Sequence, residues 1–518
     1  MYTQPRHHGS VRGLDHVPRS PFFEGRFGRM FRALPPACFS QNALVALAAR
    51  MTAEHEPLSD DPDPEENSGI TAGYTYLGQL IDHDLSFDLA SSLQKQNDPE
   101  ALVDFRTPRF DLDCVYGRGP DDQPYLYAAD GLRLLLGRRL TGSSDPNARD
   151  VPRLGPASGP RRAAIGDPRD DENVIVSQLH AAFLRFHNRV ADVLGPGSDF
   201  ETVQRFVRWH YQWVLVNDFL PTVVVEKTLH QVFPHLEHRG DPAKHPPRLK
   251  FFHWRRMPFM PVEFSVAAYR FGHSMVRPHY RLNRTLPSQF EIFASDIDKS
   301  LVGQREFPSG FAVDWSLFFK LAGAQNGAGK DRLQPAYKID TSLVNPLGAL
   351  PPEVAQDPSS LILRDLERGA SMGLPSGQAV ARRMGEDVIP DEHLLIGAAT
   401  EEAAGENVPL TDVSPEFKDS APLWVYVLAE AQQQFSKDST PIRLGPVGGR
   451  IVAEVFAGLL LVDRHSFVAQ QPNFQPFADF LVNKRFGIAE LVGQSMLAKD
   501  TDATHTAEVT PESRVGAK

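Results

Sequence analysis

The chain has 518 residues and a mass of 57.6 kDa, and 41% of its residues are hydrophobic, ample for a large buried core. With 65 acidic against 54 basic residues the net charge is −11 and the pI near 5.9, which argues against nucleic acid as the main partner, since phosphate binding draws on basic patches. No apolar run approaches the ~18 residues of a membrane span; the longest, Ile451 to Val462, is interrupted by Glu454 and fits a buried core helix.

Residues 1–40 are rich in Pro, Gly and Arg and read as an arm laid on a core. The first thirty lack the continuous apolar stretch of a secretory signal, so a cytoplasmic location is the default expectation, with export by another route left open. Glu54 to Glu66 repeats Asp and Pro and reads as a solvated loop, and Thr141 to Arg162, rich in Gly, Ser and Pro, as another long loop. Between them the pattern is helical. From Ile175 to Leu194, Val176, Leu179, Phe183, Phe186, Val190 and Val193 recur in steps of three and four. Glu201 to Phe219 continues in kind and is predicted to stop at Pro221. Gly449 to Val462 is a third helix, whereas alternating strand patterns and internal repeats are lacking. The expectation is a mainly α fold: one large domain over residues 41–498, because the chemical residues are scattered along it, and a disordered tail from residue 499. Cys38 and Cys114 are too few for a disulfide scaffold and are expected to be reduced.

Five segments carry chemistry. In Gly78–Asp84, helical spacing puts Gln79, Asp82 and His83 on one broad face beside apolar Leu77, Leu80, Ile81 and Leu85. A polar cluster so placed needs internal partners, and alone it fits a satisfied core histidine as well as a catalytic one. Thr107–Gly117 alternates oxygen donors, which suits a hard cation taking six to eight oxygens, but also a solvated acidic loop. Gly166–Asn173 is a charged turn directly before the long amphipathic helix. Tyr269–Pro278 places His273 among Arg270, Arg277 and apolar neighbours, and Leu361–Pro375 carries Asp365 and Arg368 one helical turn apart.

In this order the segments resemble the motifs of the animal-type haem peroxidases, the peroxidase–cyclooxygenase superfamily, over roughly residues 70 to 470. The resemblance implies a large, mainly α-helical domain with haem b sandwiched between helices. It implies His83 as distal base with Gln79 beside it, Arg169 as distal arginine, and Asp82 and Glu172 as carboxylates that form esters with haem. It implies His273 as the iron ligand and Arg270 and Arg368 as partners of the haem propionates. Calcium is implied at Asp84, Thr107, Arg109 (through its carbonyl), Asp111 and Asp113, with the structural task of fixing the turn that aims His83. The activity implied is reduction of hydrogen peroxide through a ferryl intermediate, followed by oxidation of a small donor. A neutral imidazole can take and return the peroxide proton, and a guanidinium can stabilise charge on the departing oxygen.

The chain departs from the family in informative places. Asp365 stands where relatives have an asparagine bonded to the proximal histidine, so a carboxylate is expected to accept the His273 N–H. Asn173 stands where myeloperoxidase has a methionine joined to haem, which disfavours chloride and leaves bromide, iodide, thiocyanate or phenolic donors. Fatty-acid dioxygenases of the superfamily use a tyrosine three residues before the proximal histidine, where this chain has Arg270. A dioxygenase and a non-catalytic haem-binding protein remain the alternatives. Oligomeric state is not legible.

Overall fold

In the computed structural model 43% of the chain is helical and the strands are few and short. The residues described are 25–86, 103–104, 106–156, 161–238, 242–254, 258–352, 354–355, 357–435 and 440–499. The expected mainly α class is the one observed. The first part of the arm, residues 1–24, and the tail from residue 500 lie outside the described residues.

The helix Val174–Leu194 organises the interior. It starts because the Asn173 side chain accepts the Ile175 and Val176 N–H groups at 3.0 and 2.9 Å, and it ends at Gly195, whose φ is 79°. Every residue from Val174 to Asn188 is buried, so its polar members must each find a partner. Gln178 donates to the Phe311 carbonyl at 2.7 Å, and Asn188 bonds both backbone groups of Leu134. Against this helix pack Gly73–Leu85, Phe200–Val214 and Ile488–Met496. A second layer pairs Leu423–Gln432, buried throughout, with Pro446–Val462. Each fully buried Leu, Val or Phe in these contacts contributes roughly 1.5–3 kcal/mol. Glu454 is buried because its carboxylate accepts the N–H groups of Lys250, Phe251 and Phe252.

Three expectations need correction. The Phe200–Val214 helix does not stop at Pro221 but runs through a π turn, Leu215–Phe219, into Leu220–Val223. The wider turn shifts the bonding register just where proline would break a regular helix. Glu66 is not solvated: it begins the strand Glu66–Thr71 and is buried against Arg277 and Arg332. The Thr141–Arg162 loop is interrupted where Arg153–Leu154 pairs with Arg162–Ala163. Gly25–Gly28 pairs with Val103–Asp104 and Met260–Pro261, and Arg29 donates to the Met372 and Gly373 carbonyls at 2.7 Å each. These strands span two to four residues, too short to imprint an alternating pattern.

Candidate active site

His83 and Asp84 sit in the last turn of Gly73–Leu85. That helix can begin hard against Phe319 only because residue 73 is glycine: a Cβ there would lie 2.3 Å from the Phe319 ring. His83 is 5% exposed, and its Nδ1 lies 2.6 Å from Asp170 Oδ1. The other Asp170 oxygen lies 2.7 Å from Nδ1 of a second histidine, His180. Burial pushes the Asp170 carboxyl up, but the hydrogen bonds from His180 and His83 outweigh it and hold the group below its ordinary range. Burial likewise pushes His83 down, and the Asp170 contact more than reverses it. Nε2 of His83 is 4.0 Å from Glu172 Oε1. Gln79 ties the helix to the following turn, donating to Glu172 and accepting from Asn173 at 3.2 Å. Asp82 is half-buried and accepts from the Ser86 hydroxyl at 3.2 Å.

Arg169 lies in the turn Pro168–Asp171. Asp167 shapes that turn by accepting the Arg169 N–H at 2.9 Å, and its carboxylate also holds the Arg169 guanidinium, Nη2 to Oδ2 at 2.8 Å. The same guanidinium donates to the His83 carbonyl at 3.0 Å, so base and arginine are fixed to one another. Arg106 Nε adds a contact to Asp167 at 2.9 Å. Burial pushes Asp167 up, yet the two guanidiniums, Arg169 foremost, hold it well below the usual carboxylate range. Two guanidiniums thus share one buried carboxylate, and Arg106 also faces Asp113 at 3.8 Å.

His273 ends the turn Ala268–His273, and Asp365 comes from the helix Leu361–Ser371. His273 Nδ1 is 2.6 Å from Asp365 Oδ2, while Arg270 Nη1 donates to Asp365 Oδ1. One amine of Arg270, which the resemblance assigns to a propionate, is therefore committed to Asp365. Burial pushes the Asp365 carboxyl up, but Arg270 and His273 hold it below its ordinary range. Arg368 stands three residues further on the same helix, half-buried. The His273 segment and the His83 helix pack together: the Tyr269 hydroxyl donates to the Gly78 carbonyl at 3.2 Å and Thr75 to the Met275 carbonyl at 3.3 Å. An imidazole whose Nδ1 is engaged and guanidiniums on nearby positions form the donor set that haem iron and propionates take, so the residues fit the group.

Beside His83, carboxylate oxygens of Asp84, Asp111 and Asp113 lie within 4.8 Å of one another. Both oxygens of Asp84, and Oδ1 of Asp113, are buried with no hydrogen-bond partner among the described residues. Burial, then mutual repulsion, push the Asp84 and Asp113 carboxyls well above their ordinary range. Arg106 faces Asp113 Oδ1 at 3.8 Å, but no cationic side chain among the described residues is hydrogen-bonded to Asp84, and buried carboxylates in such a cluster are costly unless a cation joins them. The Thr107 hydroxyl donates to Asp111 Oδ2 at 2.8 Å, and the Arg109 N–H bonds the Thr107 carbonyl at 2.7 Å. A Cβ on Gly166 would lie 2.5 Å from the Cys114 carbonyl, so only glycine lets the arginine turn rest on this loop. Cys114 is buried, Cys38 exposed, and both are free.

Sequence reasoning gave no role to Asp170, His180, Asp167 or Arg106. A signal existed for His180, which falls at helical spacing from Val176, Phe183 and Leu184 and so stands on the apolar face of its helix. Asp170 and Asp167 were masked by the charge of the turn that holds them.

A model of the animal haem peroxidase family matches residues 89–316. That stretch includes Arg169, Glu172, His273 and the Thr107–Gly117 loop; His83 precedes it and Asp365 follows it. Among curated proteins, the chain is 28% identical to chorion peroxidase of Aedes aegypti over 26% of this chain and 17% of that protein. It is 27% identical to the peroxidasin homolog of Homo sapiens over 40% and 13%, and 27% identical to a peroxidase-like protein of Margaritifera margaritifera over 48% and 37%. The alignments thus span well under half the length of these relatives. Among solved structures, peroxidase A from Dictyostelium discoideum superposes with a TM-score of 0.55 at 17% identity, covering 88% of this chain and 92% of that one. Fatty acid alpha-dioxygenase of Arabidopsis thaliana gives 0.51 at 14% identity over 90% and 75%. No described helix is long and apolar enough to cross a membrane. The family match over residues 89–316 and the peroxidase-named relatives agree in indicating an animal haem peroxidase domain, and the superposed structures share its helical fold.

Proposed function

We propose that the protein is a haem peroxidase that reduces hydrogen peroxide and oxidises a small donor. The observation that carries this reading is the joining of two separate segments: the His83 helix and the His273 turn pack together, and each imidazole has Nδ1 anchored on a buried carboxylate. Bound haem supplies the iron at which peroxide is reduced. His273, through Nε2, would hold that iron, and Arg270 and Arg368 would serve as cations for the propionates. His83 Nε2 takes a proton from the nearer peroxide oxygen and returns it to the departing one. Arg169, held to the His83 carbonyl, stabilises the charge on that oxygen. Gln79 fixes Glu172 beside the base.

Calcium would be held by Asp84, Asp111 and Asp113 with Thr107 and the Arg109 carbonyl, where it would neutralise the carboxylate cluster and secure the turn carrying His83. Asp82 and Glu172 are the ester-forming positions; haem released intact by acidified solvent would exclude covalent links. Bromide, iodide, thiocyanate and phenols are the donors to screen. A dioxygenase reading is weaker, because Arg270, in the position of the radical tyrosine, is bound to Asp365 and cannot carry a phenoxyl radical.

The test is stopped-flow absorbance of haem-reconstituted protein mixed with hydrogen peroxide, beside His83→Ala. We expect a fast change in the Soret band that slows by about 10²–10⁴ in the variant, the scale of a lost acid–base group. Bound haem with no fast response in the unaltered protein sinks the reading, and oxygen uptake with fatty acids is then the next assay.

A further inference from the structure

The buried set His83–Asp170–His180 extends past what peroxide chemistry at His83 requires. Asp170 is fully buried, and both its oxygens are used: Oδ1 by His83 Nδ1 at 2.6 Å, Oδ2 by His180 Nδ1 at 2.7 Å. His180 is itself fully buried, and its Nε2 has no hydrogen-bond partner among the described residues. An ionised carboxylate only accepts, so each Nδ1 facing it must carry the proton. Each neutral ring then has its lone pair on Nε2. For His83 that is the nitrogen required to receive a proton; for His180 it is an atom closed off in the core, where it exchanges nothing.

We propose that Asp170 is a positioning residue that locks His83 in the Nδ1–H tautomer, and that His180 is a buried second donor that keeps the carboxylate turned toward both rings. The proposal rests on the peroxidase reading only for the identity of the proton that Nε2 receives. Asp170 does not take the proton. It stays ionised, as the two imidazole donors holding its carboxyl down imply, and its charge balances the imidazolium that forms on His83. The rotation of the carboxylate is fixed from three sides. His83 comes from the Gly73–Leu85 helix, His180 from Val174–Leu194, and the Asp170 backbone from the turn Pro168–Asp171, whose Arg169 bonds the His83 carbonyl. His180 therefore ties the two helices that meet behind the base. Without its donor, Asp170 Oδ2 would be left unpaired in the interior, and the carboxylate would rotate or protonate.

Asp170→Asn is isosteric but presents one acceptor and one donor. One of the two rings must then face an N–H with its Nδ1 and switch to the Nε2–H tautomer. Three rates read the consequence in the haem-loaded protein: hydrogen peroxide with the ferric form, HCN with the ferric form, and CO with the ferrous form. Peroxide and HCN both surrender a proton to Nε2 on binding, whereas CO does not. We expect Asp170→Asn to slow peroxide and HCN by about 10²-fold with CO unchanged. Equal losses in all three would mean that the variant has only distorted the pocket, and no loss in HCN would mean that the tautomer is not held by Asp170; either overturns the proposal. If Asp170→Asn fails to take up haem, His180→Leu against His180→Gln makes the same comparison. The leucine should slow HCN about tenfold and the glutamine, which keeps an N–H for Asp170, should not; equal HCN rates in the two overturn the role of His180. If the unaltered protein shows no fast peroxide step, the HCN and CO pair still decides the role of Asp170, so failure of the peroxidase reading and failure of this one are distinct outcomes.

Discussion

Two histidine–aspartate pairs lie in neighbouring segments of this molecule, and in both the Nδ1-to-carboxylate distance is 2.6 Å. What differs is the second partner of each carboxylate. Asp170 gives its other oxygen to a fully buried imidazole, while Asp365 gives its other oxygen to the Arg270 guanidinium. Hydrogen bonds from neutral rings orient a carboxylate and leave its charge intact, available to balance a proton arriving on His83. A guanidinium neutralises much of that charge before the imidazole feels it. On the proposed function, the same pair would serve proton transfer on the His83 side and steady support of a metal-binding ring on the His273 side.

The difference is sharpest at Arg169. Its guanidinium bridges Asp167 and the His83 carbonyl with directed N–H groups, a geometry that an ammonium cannot reproduce. Arg169→Lys keeps the charge and loses the fork, and it should slow the peroxide step by about 10²-fold, within the range for removal of one preorganised donor. Haem uptake and the ferrous spectrum, which report on His273, should be unaltered. A variant as fast as the unaltered protein would show that charge alone suffices and that the bridge to His83 is incidental.

How much of this was legible in the sequence differs between the two sides. The helices were readable because their apolar faces recur at 3.6-residue spacing, and His83, Arg169 and His273 because they stand in family-like segments. Asp365 was visible for the same reason, as a carboxylate where an amide was expected. Asp170 is not legible in its segment, because a turn reading Asp-Pro-Arg-Asp-Asp-Glu looks like a solvated charge run. Burial, not composition, separates Asp170 at 0% exposure from Glu172, whose side chain is 45% exposed. His180 joins it only when the long helix is laid against the turn. The π turn before Pro221 was likewise invisible, since it is a packing outcome and leaves the apolar spacing intact.

Removing the cation should separate the two sides again. Asp84 directly follows His83, and its two buried oxygens have no hydrogen-bond partner among the described residues, whereas no member of the cluster touches His273 or Asp365 in the contacts observed. Chelation by EGTA, or Asp84→Asn, should slow the peroxide step about tenfold by loosening the turn that aims His83. The His273-side spectrum should persist, and thermal stability should fall, since the apo cluster is left with repelling carboxylates. Metal analysis showing no calcium in the purified protein, with chelator changing nothing, would remove the metal from this account.

The smallest change, and the most specific to the His273 side, is Asp365→Asn. The amide oxygen can still accept the His273 N–H, which keeps the ring oriented and the iron ligand in place, while the amide NH2 faces Arg270 and that bond is given up. What is lost is the negative charge, and with it the partial imidazolate character that makes the ring a stronger electron donor. Arg270 already offsets part of that charge, so the effect should be modest: a positive shift in the ferric/ferrous potential, with the peroxide step altered less than tenfold. A spectroelectrochemical titration of unaltered protein and variant reads the shift directly. An unchanged potential would mean that Arg270 cancels the Asp365 charge completely, and that the carboxylate serves only to hold the ring. The same substitution on the other side, Asp170→Asn, acts through the proton instead, so it should leave the potential nearly fixed while slowing peroxide. If the two variants traded these signatures, the assignment of the two sides would be reversed.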